Sequence, residues 1–104
     1  MSEAEDARLM AEVTEMLAAG LKTEVEPFPE TQKEFGEVLD RLRAVDKNDV
    51  KSKLVISGYI NHPYGAEKMR CMECIYYLVH RKWCDLPEIS LPAEPDWYCK
   101  LWRI

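Results

Sequence analysis

The chain has 104 residues, of which 47% are hydrophobic and 32% are charged, and its formal net charge at pH 7 is −5. This length predicts a small domain, and the apolar fraction is enough for a core, which argues against wholesale disorder. The negative charge argues against binding to nucleic acid or to anionic membranes. No apolar run approaches the roughly 20 residues that span a bilayer, and the acidic N-terminus lacks the features of a secretory signal. We therefore expect a cytoplasmic protein.

The first predicted element is an amphipathic helix near the N-terminus. Ser2 and Glu5 match a capping box, in which each side chain satisfies a free backbone N–H of the first turn. Apolar residues then recur at spacings of three and four along residues 9–21, which indicates one buried helical face. Gly20 is the expected C-terminal stop.

A second helix is predicted to begin at Thr31, with Glu34 as its capping partner. Its apolar stripe consists of Phe35, Val38, Leu39 and Leu42. Two short helices rarely form an adequate core alone. We therefore expect these stripes to cover each other, the rest of the chain, or a partner protein.

A strand is predicted after the second helix. The run Leu54-Val55-Ile56 is followed by Tyr59 and Ile60, and β-branched and aromatic residues are typical of strands. The sequence from Asn61 to Gly65 predicts the loop that closes this strand.

The composition changes near residue 66. Residues 1–65 contain no cysteine and carry 13 acidic against 8 basic residues, whereas residues 66–104 contain all four cysteines, all three tryptophans and six charges of each sign. This change predicts two regions, a helical one over 1–65 that docks on a partner and a cysteine-rich one over 66–104.

Four cysteines in the second region form the pattern C-x2-C-x9-C-x14-C, and they are Cys71, Cys74, Cys84 and Cys99. In a secreted chain they would suggest two disulfides, but a reducing cytosol disfavours disulfides and favours metal or cluster ligation. All four side chains must be thiolates to bind a metal. The positive charge of the metal lowers the pKa of the thiols and so permits their deprotonation.

The spacing favours an iron–sulfur cluster over zinc. A structural zinc site with four cysteines usually has two facing C-x2-C knuckles, whereas Cys84 and Cys99 arrive singly. The cysteines are also surrounded in sequence by aromatic residues, which exclude water and protect a cluster. These are Tyr76, Tyr77, Trp83, Trp97, Tyr98 and Trp102. We predict one [4Fe–4S] cluster; inert core packing by the aromatic residues is compatible with it.

The region 68–104 resembles the high-potential iron–sulfur proteins. In that family an aromatic residue follows a C-x2-C, and the last cysteine has an aromatic residue before it and a tryptophan shortly after it. The sequences C-D-L-P from Cys84 and W-Y-C-K-L-W-R-I from Trp97 look most like a trimmed form of that domain, found in small subunits of fumarate-adding glycyl radical enzymes. The resemblance implies a small α+β chain, with helices followed by a cluster domain of short strands and loops.

The resemblance also implies a role. The small subunits of benzylsuccinate and alkylsuccinate synthases are not catalytic, because the large subunit carries the glycyl radical and adds the hydrocarbon to fumarate. This chain has no R-V-x-G-[FWY] radical motif. The expected partner is therefore a large catalytic subunit. This chain would stabilise that subunit and modulate its active site, and a further small subunit could belong to the same complex.

Two other functions fit the same residues. The chain could be a free [4Fe–4S] electron carrier, or a zinc-stapled interaction module. His62 and His80 are the only histidines, and since four cysteines complete a cubane we expect His80 to lie outside the ligand set. Glu73 and Asp85 have no visible nucleophile or base beside them, so we expect no catalysis by this chain alone.

Overall fold

The computed structural model describes residues 3–103, which form a small α+β fold. The helices are α1 (Glu3–Ala18), α2 (Gln32–Arg43) and α3 (Val50–Ser57). A 3₁₀ turn (Cys71–Glu73) and three short strands follow, β1 (Tyr77–Leu78), β2 (Trp83–Cys84) and β3 (Leu91–Pro92). The predicted order, helices first and short strands afterwards, is confirmed.

The two helices predicted first are both present. In α1 the buried residues are Val13 and Leu17, so the predicted apolar face is the buried one. The predicted cap residue Ser2 lies outside the described residues. Gly20 follows α1 with a φ of +90°, a conformation that suits a residue without a Cβ.

The predicted capping box of α2 is confirmed. The backbone N–H of Glu34 donates to the Thr31 hydroxyl at 3.1 Å, and the Glu34 carboxylate accepts from the Thr31 backbone N–H at 3.2 Å. Each bond satisfies a donor that the first helical turn leaves unpaired. The box fixes where α2 begins, and Leu42 at its other end is buried.

The strand predicted at residues 54–60 is wrong, because this segment is mostly α3. Asp49 caps α3 by accepting a hydrogen bond from the Ser52 backbone N–H at 3.1 Å, and Gly58 ends the helix in the left-handed conformation. These two caps, together with burial of most of the last turn, outweigh the strand preference of the β-branched run. Within residues 54–60, Ile60 alone makes a strand-like pairing, in an isolated antiparallel bridge with Tyr98.

The small sheet is antiparallel with the order β1-β2-β3. Cys84 lies opposite Tyr77 on one side and opposite Leu91 on the other. Both residues of the central strand β2 are buried. The sheet therefore fixes Cys84 in the interior of the protein.

One core joins the two regions that the composition distinguishes. Its deeply buried members include residues from the helices (Val13, Leu42, Leu54) and from the cysteine-rich region (Ile89, Leu91, Leu101). Of the two predicted helices, α1 packs mainly against β3 in the C-terminal region, whereas α2 packs mainly against α3. Among residues 3–103 the large exposed apolar side chains lie instead at Met72, Ile75, Leu78 and Val79.

No helix within residues 3–103 is long and apolar enough to cross a membrane.

Candidate metal centre

The first two cysteines lie on a tight backbone turn. Cys71 begins the 3₁₀ turn, and the Cys74 backbone N–H donates to the Cys71 carbonyl at 2.9 Å. The Cys71 N–H is itself bonded to the carbonyl of Trp97 at 2.6 Å. The C-x2-C sequence therefore forms a knuckle that is attached to the C-terminal segment.

The other two cysteines arrive from separate elements. Cys84 lies in β2, and Cys99 directly follows Tyr98, whose backbone pairs with Ile60 at 2.9 and 3.1 Å. The chain then turns, with the Trp102 N–H donating to the Cys99 carbonyl at 3.1 Å. Cys84 of the sheet and Cys99 of the C-terminal turn therefore both lie in the interior of the fold.

All four cysteines line one cavity. The remaining wall of this small cavity consists of Tyr59, Tyr77 and Trp102. Cys71, Cys84 and Cys99 are buried with 6–8% of their surface exposed, whereas Cys74 is half-buried. None of the four forms a disulfide. The residues that the sequence singled out are therefore brought together, with Cys74 on the outer side.

The aromatic residues divide into those that form the wall and those that support it. Tyr77 is anchored by its hydroxyl, which donates to the Ala93 carbonyl at 2.9 Å, and Trp102 by its indole N–H, which donates to the Arg70 carbonyl at 2.8 Å. The other predicted aromatic residues (Tyr76, Trp83, Trp97, Tyr98) do not line the cavity. Their contribution is packing around the site.

Tyr59 is a wall residue that the sequence did not reveal as part of the site. It is 1% exposed, its hydroxyl lies 3.5 Å from the Pro92 carbonyl, and its ring meets that of Trp97 edge-on at 6.4 Å. Gly58 turns the chain sharply out of α3 and so directs Tyr59 inward. Gly58 after the apolar run at residues 54–56 is the sequence feature that could have indicated a helix end here, with Tyr59 turned into the core.

Burial makes the thiols poor acids in the absence of a metal. Loss of solvation raises the pKa of Cys84 to about 12, and it raises the pKa of Cys71 and of Cys99 well above the usual range, with the neighbouring cysteines adding to the effect. Any bound cation must therefore displace protons from these thiols.

Backbone N–H groups lie close to several of the sulfur atoms. The Arg103 N–H donates to Cys74 Sγ at 3.5 Å. The N–H groups of Leu86 and Leu101 act on the sulfurs of Cys84 and Cys99, where they lower the thiol pKa. Hydrogen bonds of this kind stabilise a thiolate, and in iron–sulfur proteins they tune the cluster.

The sulfur atoms surround a space without forming a site for a single ion. Across residues 3–103, no group of three or more His, Cys, Asp or Glu side chains is arranged to hold a metal ion. A tetrahedral zinc site would place its sulfurs about 3.8 Å apart, given Zn–S bonds of about 2.3 Å. No such group is present in residues 3–103, and the predicted cluster remains a prediction.

The other candidate residues lie away from the cavity. His80 is exposed and borders a surface hollow with Glu3 and Asp6. His62 is also exposed, with Nδ1 at 2.9 Å from the Pro63 carbonyl. Neither histidine lines the cysteine cavity.

Comparison of the chain with protein-family models, with curated proteins and with solved structures found no match.

Proposed function

We propose that this protein holds one [4Fe–4S] cluster through Cys71, Cys74, Cys84 and Cys99. The observation that carries the proposal is that these four thiols, from three separate segments, line a single apolar cavity. Buried thiols without a partner gain little from being gathered at one point. Thiolates bound to iron gain much, because metal binding contributes directly to the folding free energy of a small domain.

The arrangement of the cysteines in the chain is our reason for proposing a cluster and not a zinc ion. A cubane presents an iron at each of four corners, so its ligand sulfurs stand farther apart than the four sulfurs around one ion. That suits ligands that arrive from three separate segments of the chain. The apolar wall and the N–H donors at Cys74, Cys84 and Cys99 also suit a buried cluster.

Each element of the site has a definable task. The knuckle at Cys71 and Cys74 and the two single cysteines would bind the irons, and Tyr59 and Trp102 would keep water from them. When bound, such a cluster supplies a stable cross-link and a one-electron couple. On the resemblance of residues 68–104 we extend the proposal to a trimmed high-potential-type domain.

We further propose that the chain is a cytoplasmic, non-catalytic accessory subunit of a glycyl radical enzyme that adds hydrocarbons to fumarate. The resemblance supports this role, and the exposed apolar side chains of Ile75 and Val79, 62% and 61% exposed, are consistent with a protein partner. The partner would be the large catalytic subunit. Its stabilisation by this chain then requires contact but no chemistry from residues 3–103.

A free electron carrier is the second candidate. The observation that favours it is the partial exposure of Cys74, which would leave one edge of the cluster close to solvent. Fast and reversible electron exchange with a soluble redox partner would support the carrier over the subunit. Copurification with a large subunit, without such exchange, would support the subunit.

Metal analysis of protein purified without oxygen tests the cluster. We expect a brown protein with about four iron and four sulfide per chain, and broad visible absorption. Cys99→Ser should abolish the absorption, whereas His80→Ala, the matched control, should leave it unchanged. One zinc per chain without visible absorption would refute the proposal, and a normal spectrum in Cys99→Ser would remove Cys99 from the ligand set.

Coexpression with a candidate large subunit tests the accessory role. The chain should copurify with it, and Ile75→Asp together with Val79→Asp should weaken the complex without changing the cluster spectrum. Arg43→Gln, on the surface of α2, is the control. A monodisperse monomer that binds none of the large subunits would contradict the accessory role and leave the cluster proposal standing.

A further inference from the structure

Arg103 connects the helical region to the C-terminal segment. Its guanidinium carbon lies 4.3 Å from the centre of the Phe35 ring and 5.2 Å from that of Phe28. Its Nη2 donates to the carbonyl of Pro29 at 2.8 Å. The side chain is therefore held by α2 and by the loop before it, far from the cysteines in sequence.

The backbone of the same residue is attached to the cysteine knuckle. The Arg103 N–H donates to Cys74 Sγ at 3.5 Å, and its carbonyl accepts from the Ile75 N–H at 2.8 Å. Its Nη1 donates to the carbonyl of Trp102, a wall residue of the cavity, at 2.8 Å. One residue thus contacts the helical region through its side chain and Cys74 through its backbone.

We propose that Arg103 is the positioning residue of Cys74. Through Arg103, the rate at which the bound cluster loses iron depends on the packing of the helical region. Arg103 binds no metal itself. Its side-chain contacts keep the C-terminal backbone close to the knuckle, and that backbone supplies the hydrogen bond to the Cys74 sulfur. The proposal rests on the proposed cluster for its principal readout.

Cys74 is the ligand at which such support matters most. The other three cysteines are buried by the sheet and the core, whereas Cys74 is half-buried and precedes the exposed Ile75. Loss of the hydrogen bond would weaken the thiolate and open the outer corner of the cavity. Cluster loss should therefore begin at Cys74.

Iron release to a ferrous chelator, followed without oxygen in the full chain, tests the proposal. Arg103→Gln should release iron about tenfold faster than the wild type, because two hydrogen bonds from a charged donor and two ring contacts are lost. Arg103→Lys should recover part of the difference. Arg103→Pro, which also removes the backbone donor, should release iron at least as fast as Arg103→Gln.

Arg81→Gln is the matched control. Arg81 also lies over an aromatic ring, 3.6 Å from the centre of Trp83, and it also bonds the helical region through Asp6 at 2.7 Å. It lies away from the cavity wall. If Arg81→Gln accelerates iron release as much as Arg103→Gln at equal loss of stability, Arg103 acts only on the fold and the proposal is overturned.

A double-mutant cycle tests the connection itself. Phe35→Leu should also accelerate iron release, and its effect should be less than additive with that of Arg103→Gln, because both changes break the same contact. Full additivity would overturn the coupling.

A wild-type protein without a cluster would instead refute the proposed function. The inference about Arg103 would then be judged on alkylation of Cys74 by iodoacetamide. Faster reaction in Arg103→Gln than in the wild type and Arg81→Gln supports the inference, and equal rates refute it.

Discussion

Gly58→Ala should be among the most destabilising single changes outside the cysteines. Gly58 has a φ of +71°, and an added Cβ would lie 2.7 Å from the Glu24 carbonyl oxygen and 3.0 Å from the Val25 Cα. Both contacts are with backbone atoms, so no side chain can rotate away. The glycine is needed for its conformation and for its lack of volume.

The magnitude follows from these two costs. The left-handed conformation costs a residue with a Cβ about 1–2 kcal/mol, and overpacking in a fixed interior costs about 1–3 kcal/mol. We expect Gly58→Ala to lower the free energy of unfolding by about 2–5 kcal/mol, the sum of the two. Because Tyr59 follows directly, the wall of the cysteine cavity should shift as well.

Two other glycines separate these costs. Gly20 has a φ of +90°, and a Cβ added there would meet no atom within 4 Å, so Gly20→Ala tests conformation alone. Gly36 lies inside α2, where an added Cβ would also have no atom within 4 Å, and Gly36→Ala should stabilise by about 0.5–1 kcal/mol. Urea unfolding followed by far-ultraviolet circular dichroism gives all three values. A loss in Gly58→Ala no larger than in Gly20→Ala would refute the steric argument.

The remaining predictions concern the cap, the core and one ion pair. Thr31→Ala should cost about 1 kcal/mol of stability, and Thr31→Ser should restore it, in the same urea assay. Val13→Asp should lower the free energy of unfolding by more than about 3 kcal/mol, because Val13 is fully buried. Val79 is exposed, and Val79→Asp should change the free energy of unfolding by less than about 0.5 kcal/mol. Similar melting temperatures for the two variants would be inconsistent with the shared core. The hydrogen bond from Arg81 lowers the pKa of Asp6 in the folded protein below its ordinary value of 3.8. The ionised Asp6 therefore stabilises the folded state above pH 3.8, and this contribution is lost as the pH falls through the lowered pKa of the folded protein. Asp6→Asn should therefore be less stable than the wild type at neutral pH, and a difference that persisted in strong acid would contradict this assignment.

The features that the sequence predicted correctly are local ones. The capping box at Thr31 and the periodic apolar faces of α1 and α2 depend on spacings of three and four residues, which the chain carries within each element. The four cysteines, which the sequence predicted to act together, line one cavity, and their role as cluster ligands stays a prediction. These inferences required no knowledge of the tertiary arrangement.

The features that it missed depend on tertiary packing. The run at Leu54-Val55-Ile56 favours a strand by composition, and its helical state depends on caps at Asp49 and Gly58 and on burial against the core. Tyr59 was missed for the same reason, since its place in the cavity wall follows from that helix. For the apolar stripes the sequence left open whether they cover each other, the rest of the chain or a partner, because that choice depends on tertiary packing; Val13 of α1 lies in a core that includes C-terminal residues.

The position of Tyr59 limits how far the cysteine-rich region can serve as a module. Tyr59 belongs to the first 65 residues, yet it closes one side of the space that the four thiols surround. A graft of residues 66–104 onto another protein would carry all four cysteines and lack Tyr59. The host protein would have to provide an aromatic ring in place of Tyr59. Transplanting this region therefore requires the design of a new cavity wall in addition to a peptide connection.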